Sequence, residues 1–248
     1  MPLSATTESS RITSSDPARM RFGDRRFFSG MALLSAATVF AGFAPTYYLR
    51  AYTGAPPISP LAHVHGAVFT TWMVFFVIQT ALIPAKRTRT HRQVGVYGGV
   101  LAIVMTALGI VTAIAAAKRG YNGQSGQDPL VFLVVPVGSM LVFSSLVGAS
   151  LYYRRQPDTH KRLMLLAVIG GLLEAATARL PLAFAQPAAG IGVYFAFVLA
   201  GPVYDRLSRG RVHASYKWTV PLVVLSWPVR VAIGSTAAWH TFASFLTR

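Results

Sequence analysis

Hydrophobic residues in this chain gather into seven runs separated by short polar joints, at about 28–49, 61–84, 93–117, 130–153, 160–180, 187–204 and 218–242. Each is close to the roughly 20 residues that a helix needs to cross a hydrocarbon core of about 30 Å. The runs are unbroken instead of alternating with period two, which is a helix pattern. Lipid admits only helices or closed barrels, because every backbone N–H and C=O must be satisfied within the protein. The pattern therefore predicts an all-α, polytopic helical membrane bundle with about seven transmembrane helices. Residues 27–248 form a single transmembrane domain. Residues 1–26 are rich in Ser, Thr and Arg with no apolar period, and are expected to be a disordered basic tail. The first run is longer than a signal-peptide core and lacks a clear small-residue cleavage site, so it is read as an uncleaved span.

Charge orients the bundle. Of the 23 Lys and Arg, 17 fall in the N-terminal segment and in the hairpins after the second, fourth and sixth runs, four fall on the opposite side, and Arg179 and Arg230 lie inside runs. Cation-rich loops mark the cytoplasmic side. The N-terminus is thus expected in the cytoplasm and the C-terminus outside, in a bacterial inner membrane. A net charge of +16 would also suit nucleic acid, but no contiguous basic domain remains once the hairpins are assigned. The expected partners are anionic lipid headgroups at the cytoplasmic face and a membrane protein partner or second copy, and no nucleic acid. The chain has no Cys, which excludes disulfides, thiolate metal sites and Cys nucleophiles. A retinal protein would need a lysine in the middle of the last span, whereas Lys217 stands at its end.

Two hairpin segments repeat one pattern. RTRTHRQVG (87–95) opens the third run with Thr90-His91-Arg92, and QPDTHKRLM (156–164) opens the fifth with Thr159-His160-Lys161. His91 and His160 should share one depth on the cytoplasmic side, joined there by His213 from the third hairpin. Thr90 and Asp158 have the short oxygen-bearing side chains of N-caps. Neutral imidazoles from different helices at one depth suit a bis-histidine haem b or a metal ion. A helix N-terminus with His and Arg at the interface also seats a lipid phosphate.

The outer half holds a second set. His63 and His65 lie about 200° apart around a helix axis, so one of them faces the bundle, and His65 is chosen. Glu174 is read as the one acid within the runs. It lies about 21 Å along its helix from His160, and Arg230 about 20 Å from Lys217. An uncompensated charge in hydrocarbon costs roughly 2.5–3.5 kcal/mol on insertion scales. Glu174 and Arg230 are therefore expected to face inward and pair, with His65 and Tyr47 near them. Arg179 should snorkel to headgroups. His240, beside Trp239, belongs with Trp218 to an interfacial aromatic belt, or serves with His65 as an outer ligand pair. Pro221 and Pro228 should bend the last span. Gly95 with Gly99, and Gly171 with Ala175, should let helices approach closely.

GFAPTYYLR (42–50), LAHVHGAVFTTWMVFFVIQTALIP (61–84), THRQVGVYGG (90–99) and DTHKRLMLLAVIGGLLEAATARLPL (158–182) resemble a bacterial family of membrane proteins of unknown function. Similar proteins carry a His-Arg step before one span, here His91-Arg92. Before another they carry a His-basic-basic-x-Met step, here His160-Lys161-Arg162-Leu163-Met164, with an Arg near that span's end, here Arg179. The resemblance implies a multi-helix bundle and no reaction. The hairpin histidines also look loosely like those of di-haem cytochrome b membrane proteins, a fold-level analogy.

Three functions compete on this basis. One is a redox subunit in which His91 with His160, or His65 with His240, ligate haem b or a metal ion. Another is a non-catalytic scaffold or partner subunit whose basic hairpins bind lipid. The third is a small-solute transporter with Glu174, Arg230 and His65 as its polar cluster. One intramembrane acid and no Cys leave paired-carboxylate and thiol catalysis without their parts, and no enzymatic reaction is assigned.

Overall fold

A computed structural model describes residues 17–123 and 126–248. Its regular elements are all helical, with no strand among the described residues. In chain order the long helices are α1 (Pro17–Phe43), α2 (Pro60–Leu82), α3 (Thr88–Lys118), α4 (Pro129–Tyr152) and α5 (Pro157–Val168). They are followed by α6 (Pro187–Arg209), α7 (Ala214–Gly234) and α8 (Ala237–Leu246). Helix α5 runs on through a π turn (Ile169–Leu173) into a last helical turn (Glu174–Thr177). Proline at the first helical position starts α1, α2, α4, α5 and α6, where its missing N–H costs nothing and its fixed φ is already helical. Ser59 and Asp128 cap α2 and α4 by accepting from Ala62 N and Leu130 N.

Five helices are long and apolar enough to cross a membrane, six if α7 and α8 count as one bent span. Their outward faces carry Leu34, Val74, Ile103, Leu141, Leu199 and Leu225, each more than two-fifths exposed. An apolar surface of that kind is stable against lipid and not against water. The chain is an integral membrane protein. The run 157–177 lies at its centre. Leu163, Leu165, Leu166, Val168, Ile169 and Leu173 are all within 2% of complete burial, with α1, α4, α6 and α7 packed around them. Lys161, Arg162 and Glu174 make this run too charged for an ordinary lipid-facing span; protein surrounds it instead.

Several boundaries differ from expectation. Helix α1 begins at Pro17, so residues 17–26 are helical where a disordered tail was expected; residues 1–16 lie outside the described residues. The anchor is Asp24, buried against Lys161, Arg209 and Tyr204. Thr90 and Asp158 are not caps. Helices α3 and α5 begin at Thr88 and Pro157, with Arg87 and Gln156 at the cap positions and no side-chain bond there. The last span breaks at Ser235 and Thr236 and turns by 85°, beyond both prolines, which α7 absorbs. Thr236 caps the new helix by accepting from Trp239 N, and the Trp239 indole donates to Leu130 O. That bond holds α8 against the start of α4.

Gly171 and Gly42 are two of the glycines on which close helix approach depends. A Cβ at Gly171 would stand 2.5 Å from Phe143 Cβ, and one at Gly42 would collide with the backbone carbonyl of Ala176. Neither obstacle is the far end of a flexible side chain. Gly171→Ala and Gly42→Ala should each lower stability by about 1–3 kcal/mol, read as thermal unfolding in detergent. Gly148→Ala, which meets nothing within 4 Å, should not.

Candidate functional site

The hairpin pattern has a direct structural meaning. His91 sits in the first turn of α3, and its Nδ1 lies 3.2 Å from Gln79 O. His160 sits in the first turn of α5, and its Nδ1 lies 2.9 Å from Ser150 O. Both carbonyls belong to the last turn of the preceding helix, where C=O groups lack partners within the helix. Each histidine thus crosses its hairpin and closes the helix behind it. The buried Ser150 hydroxyl adds a bond to His160 O at 3.0 Å and lies 2.8 Å from the same Nδ1.

A carbonyl can only accept, so both imidazoles are assigned their proton on Nδ1, which leaves the Nε2 lone pair free. That is the tautomer of a metal-ligating histidine held by a backbone carbonyl. The two rings come together from different helices, with centroids 6.2 Å apart and planes at 80°. Two imidazoles on one ion, each nitrogen about 2 Å from it, have ring centres roughly 5–6 Å apart. The observed 6.2 Å lies just beyond that range, so the two rings would flank an ion at a wide angle or close on it by a few tenths of an ångström.

The other proposed ligands do not join them. His213 caps α7: its Nδ1 accepts from Ser215 N and lies 2.9 Å from Ser215 Oγ. Burial, with Arg162 nearby, pushes its pKa below the usual imidazole value. No group of three or more His, Cys, Asp or Glu gathers among the described residues to hold a metal. His65 stacks on Phe69 at 4.0 Å and its buried Nδ1 has no partner, whereas His63 is exposed, so His65 is the one of the two that turns inward. His240 lies one residue beyond Trp239 on α8 and is half-buried.

In the interior, Glu174 and Arg230 pair at 2.8 Å. Arg230 crosses from α7 over α4, donating to Val135 O at 2.9 Å and to Ser139 Oγ at 2.7 Å. Ser139 in turn donates to Glu174 at 3.2 Å. Gly138 makes the crossing possible, because a Cβ there would occupy the place of Arg230 Cδ. The hydrogen-bond partners of the pair are Ser139 and backbone carbonyls; neither His65 nor Tyr47 bonds to it, the Tyr47 hydroxyl donating to His63 O. Arg179 donates to Tyr121 Oη and Ala175 O and lies over the Phe43 ring.

A third cluster was not anticipated. Arg162 and Asp205 are both fully buried and form a two-point pair, Nε to Oδ2 at 2.9 Å and Nη2 to Oδ1 at 2.5 Å. Arg209 adds a bond to Asp205 at 2.8 Å, and His213 N donates to the same carboxylate. Lys161 and Arg209 share Asp24, and Lys161 also meets Asp158. The cluster ties the starts of α1, α5 and α7 to the end of α6, so the N-terminal segment and the hairpins lie at one end of the bundle. The available signal was spacing: Asp158 with Arg162, and Asp205 with Arg209, are acid and cation four residues apart on a helix.

No family model, curated protein or solved structure matches this chain.

Proposed function

We propose that this protein is a membrane redox subunit that holds a metal centre between His91 and His160. It sits in a bacterial inner membrane with the hairpin end in the cytoplasm, and crosses seven times if the run 157–177 and the bent α7 with α8 each count as one span. The resemblance to an uncharacterised bacterial membrane family agrees with this and adds no chemistry. The observation that carries the proposal is the facing pair: two imidazoles from separate helices, each with Nδ1 on a backbone carbonyl and each with a free Nε2. A single ion suits the place better than haem b. Ser150 in the last turn of α4 bonds His160, and Leu151 Cδ1 lies 3.4 Å from where a Cβ would stand on Gly99 of α3. A macrocycle would have to part those helices.

The test is elemental analysis of protein purified in detergent, with absorption spectra taken oxidised and reduced. A first-row transition metal near one per chain is expected, and His91→Ala or His160→Ala should remove it. A Soret band would assign haem b to the pair instead. Metal at trace level with no Soret band would end the proposal.

A second reading draws on the exposed cations Lys86, Arg87, Arg89, Arg154 and Arg155 at the same end, which suit anionic headgroups. In a scaffold with only that role, replacing His91 and His160 would change stability or assembly without any loss of metal.

A further inference from the structure

Gln79 stands beside His91 and has no role in the packing that explains its amide. Its side chain is only 7% exposed, and neither Oε1 nor Nε2 has a hydrogen-bond partner. A buried amide left unpaired is costly, and leucine or methionine would fill the same volume without that cost. The position ties it to the site. The main-chain carbonyl of Gln79 is the one that holds His91 Nδ1, so side chain and imidazole belong to one short stretch of structure. Oε1 lies 3.9 Å from where a Cβ would stand on Gly95, one turn along α3 from His91. The amide therefore lies against a residue with no side chain to crowd it, one helical turn from His91.

We infer that Gln79 is the third group of this site, where its amide holds the oxygen ligand, a water or hydroxide, that shares the metal with His91 and His160. The inference rests on the metal-binding reading proposed above. Two imidazoles leave an ion short of a full coordination sphere, and water is the usual occupant of the open position. A bound water both accepts and donates, and an amide side chain offers both an acceptor oxygen and donor N–H groups. Direct ligation through Oε1 would satisfy only half of the amide and leave Nε2 buried without a partner.

The probe is Co²⁺ added to metal-stripped, detergent-purified full-length protein. Affinity is read by equilibrium dialysis, ligand geometry by the visible d–d bands, and thermal stability without metal. Wild type should bind Co²⁺, and His91→Ala should not. Gln79→Leu should bind about 10–100-fold more weakly, as loss of an outer-shell partner does, with shifted d–d bands. Without metal it should melt at or above the wild-type temperature. Gln79→Met gives the same readouts if the leucine variant does not accumulate. If wild type binds Co²⁺ through the histidines but the Gln79 variants match it in affinity and spectrum, the role of Gln79 is refuted and the metal site stands. Lower melting of the metal-free Gln79 variants would mark the amide as structural and likewise overturn the inference. If wild type binds no Co²⁺, both fall.

Discussion

Arg162→Leu is expected to destabilise the protein by about 3–5 kcal/mol, the cost of removing one partner from a buried ion pair. Asp205 is fully buried, and Arg162 meets it with two bonds in a plane. Arg209 and His213 N would remain on the carboxylate, which places the expected loss toward the lower end. Replacing both members, Arg162→Leu with Asp205→Leu, should recover most of that loss, because no buried charge is then left unpaired. Lys161→Ala is the contrast. Its side chain is a quarter exposed, and exposed pairs contribute about 0–1 kcal/mol. Thermal unfolding in one detergent orders the three variants, and a Lys161 effect as large as that of Arg162 would show that burial does not set the scale.

The second large effect lies deeper. Glu174→Gln and Arg230→Gln should each cost roughly 2.5–3.5 kcal/mol, the scale for an uncompensated charge in hydrocarbon. The double variant should cost clearly less than the two together, since each single change strands the charge that the other removes. A double-mutant cycle isolates that coupling. Additive losses would mean that Ser139 and the Val135 carbonyl hold Arg230 without help from Glu174. Gly138→Ala should mimic the loss of Arg230, because it closes the gap through which the side chain passes.

The contrast between these two clusters shows what a chain of this kind reveals in advance. Glu174 and Arg230 are isolated charges in apolar runs, and a count of residues along two helices puts them at one depth. Arg162 and Asp205 sit where hydropathy fades at the ends of runs. An arginine in a basic hairpin reads as topology, and an aspartate next to Arg206 reads as loop. Helix α6 continues to Arg209, and that extension carries Asp205 inside. The identical roles of the two hairpin histidines were visible as a repeat, and they do meet. What each Nδ1 does was not visible, because the open carbonyl end of the preceding helix is a property of the folded hairpin. Gln79 carried only the weak signal of one amide in an apolar run. A bend in the last span was expected at the prolines, yet a helix can keep a proline at the cost of a modest bend, and the sharp turn falls at a residue that caps a new helix.

The most direct test of the metal centre is X-ray absorption at the metal edge of the purified protein, because imidazoles leave a distinct outer-shell scattering pattern. Two histidine ligands are predicted in the wild type, at about 2.0–2.1 Å, the usual metal–imidazole distance, with lighter oxygen scatterers at the other positions. A bound metal whose spectrum carries no imidazole, or carries the same imidazoles after His91→Ala and His160→Ala, would contradict the account.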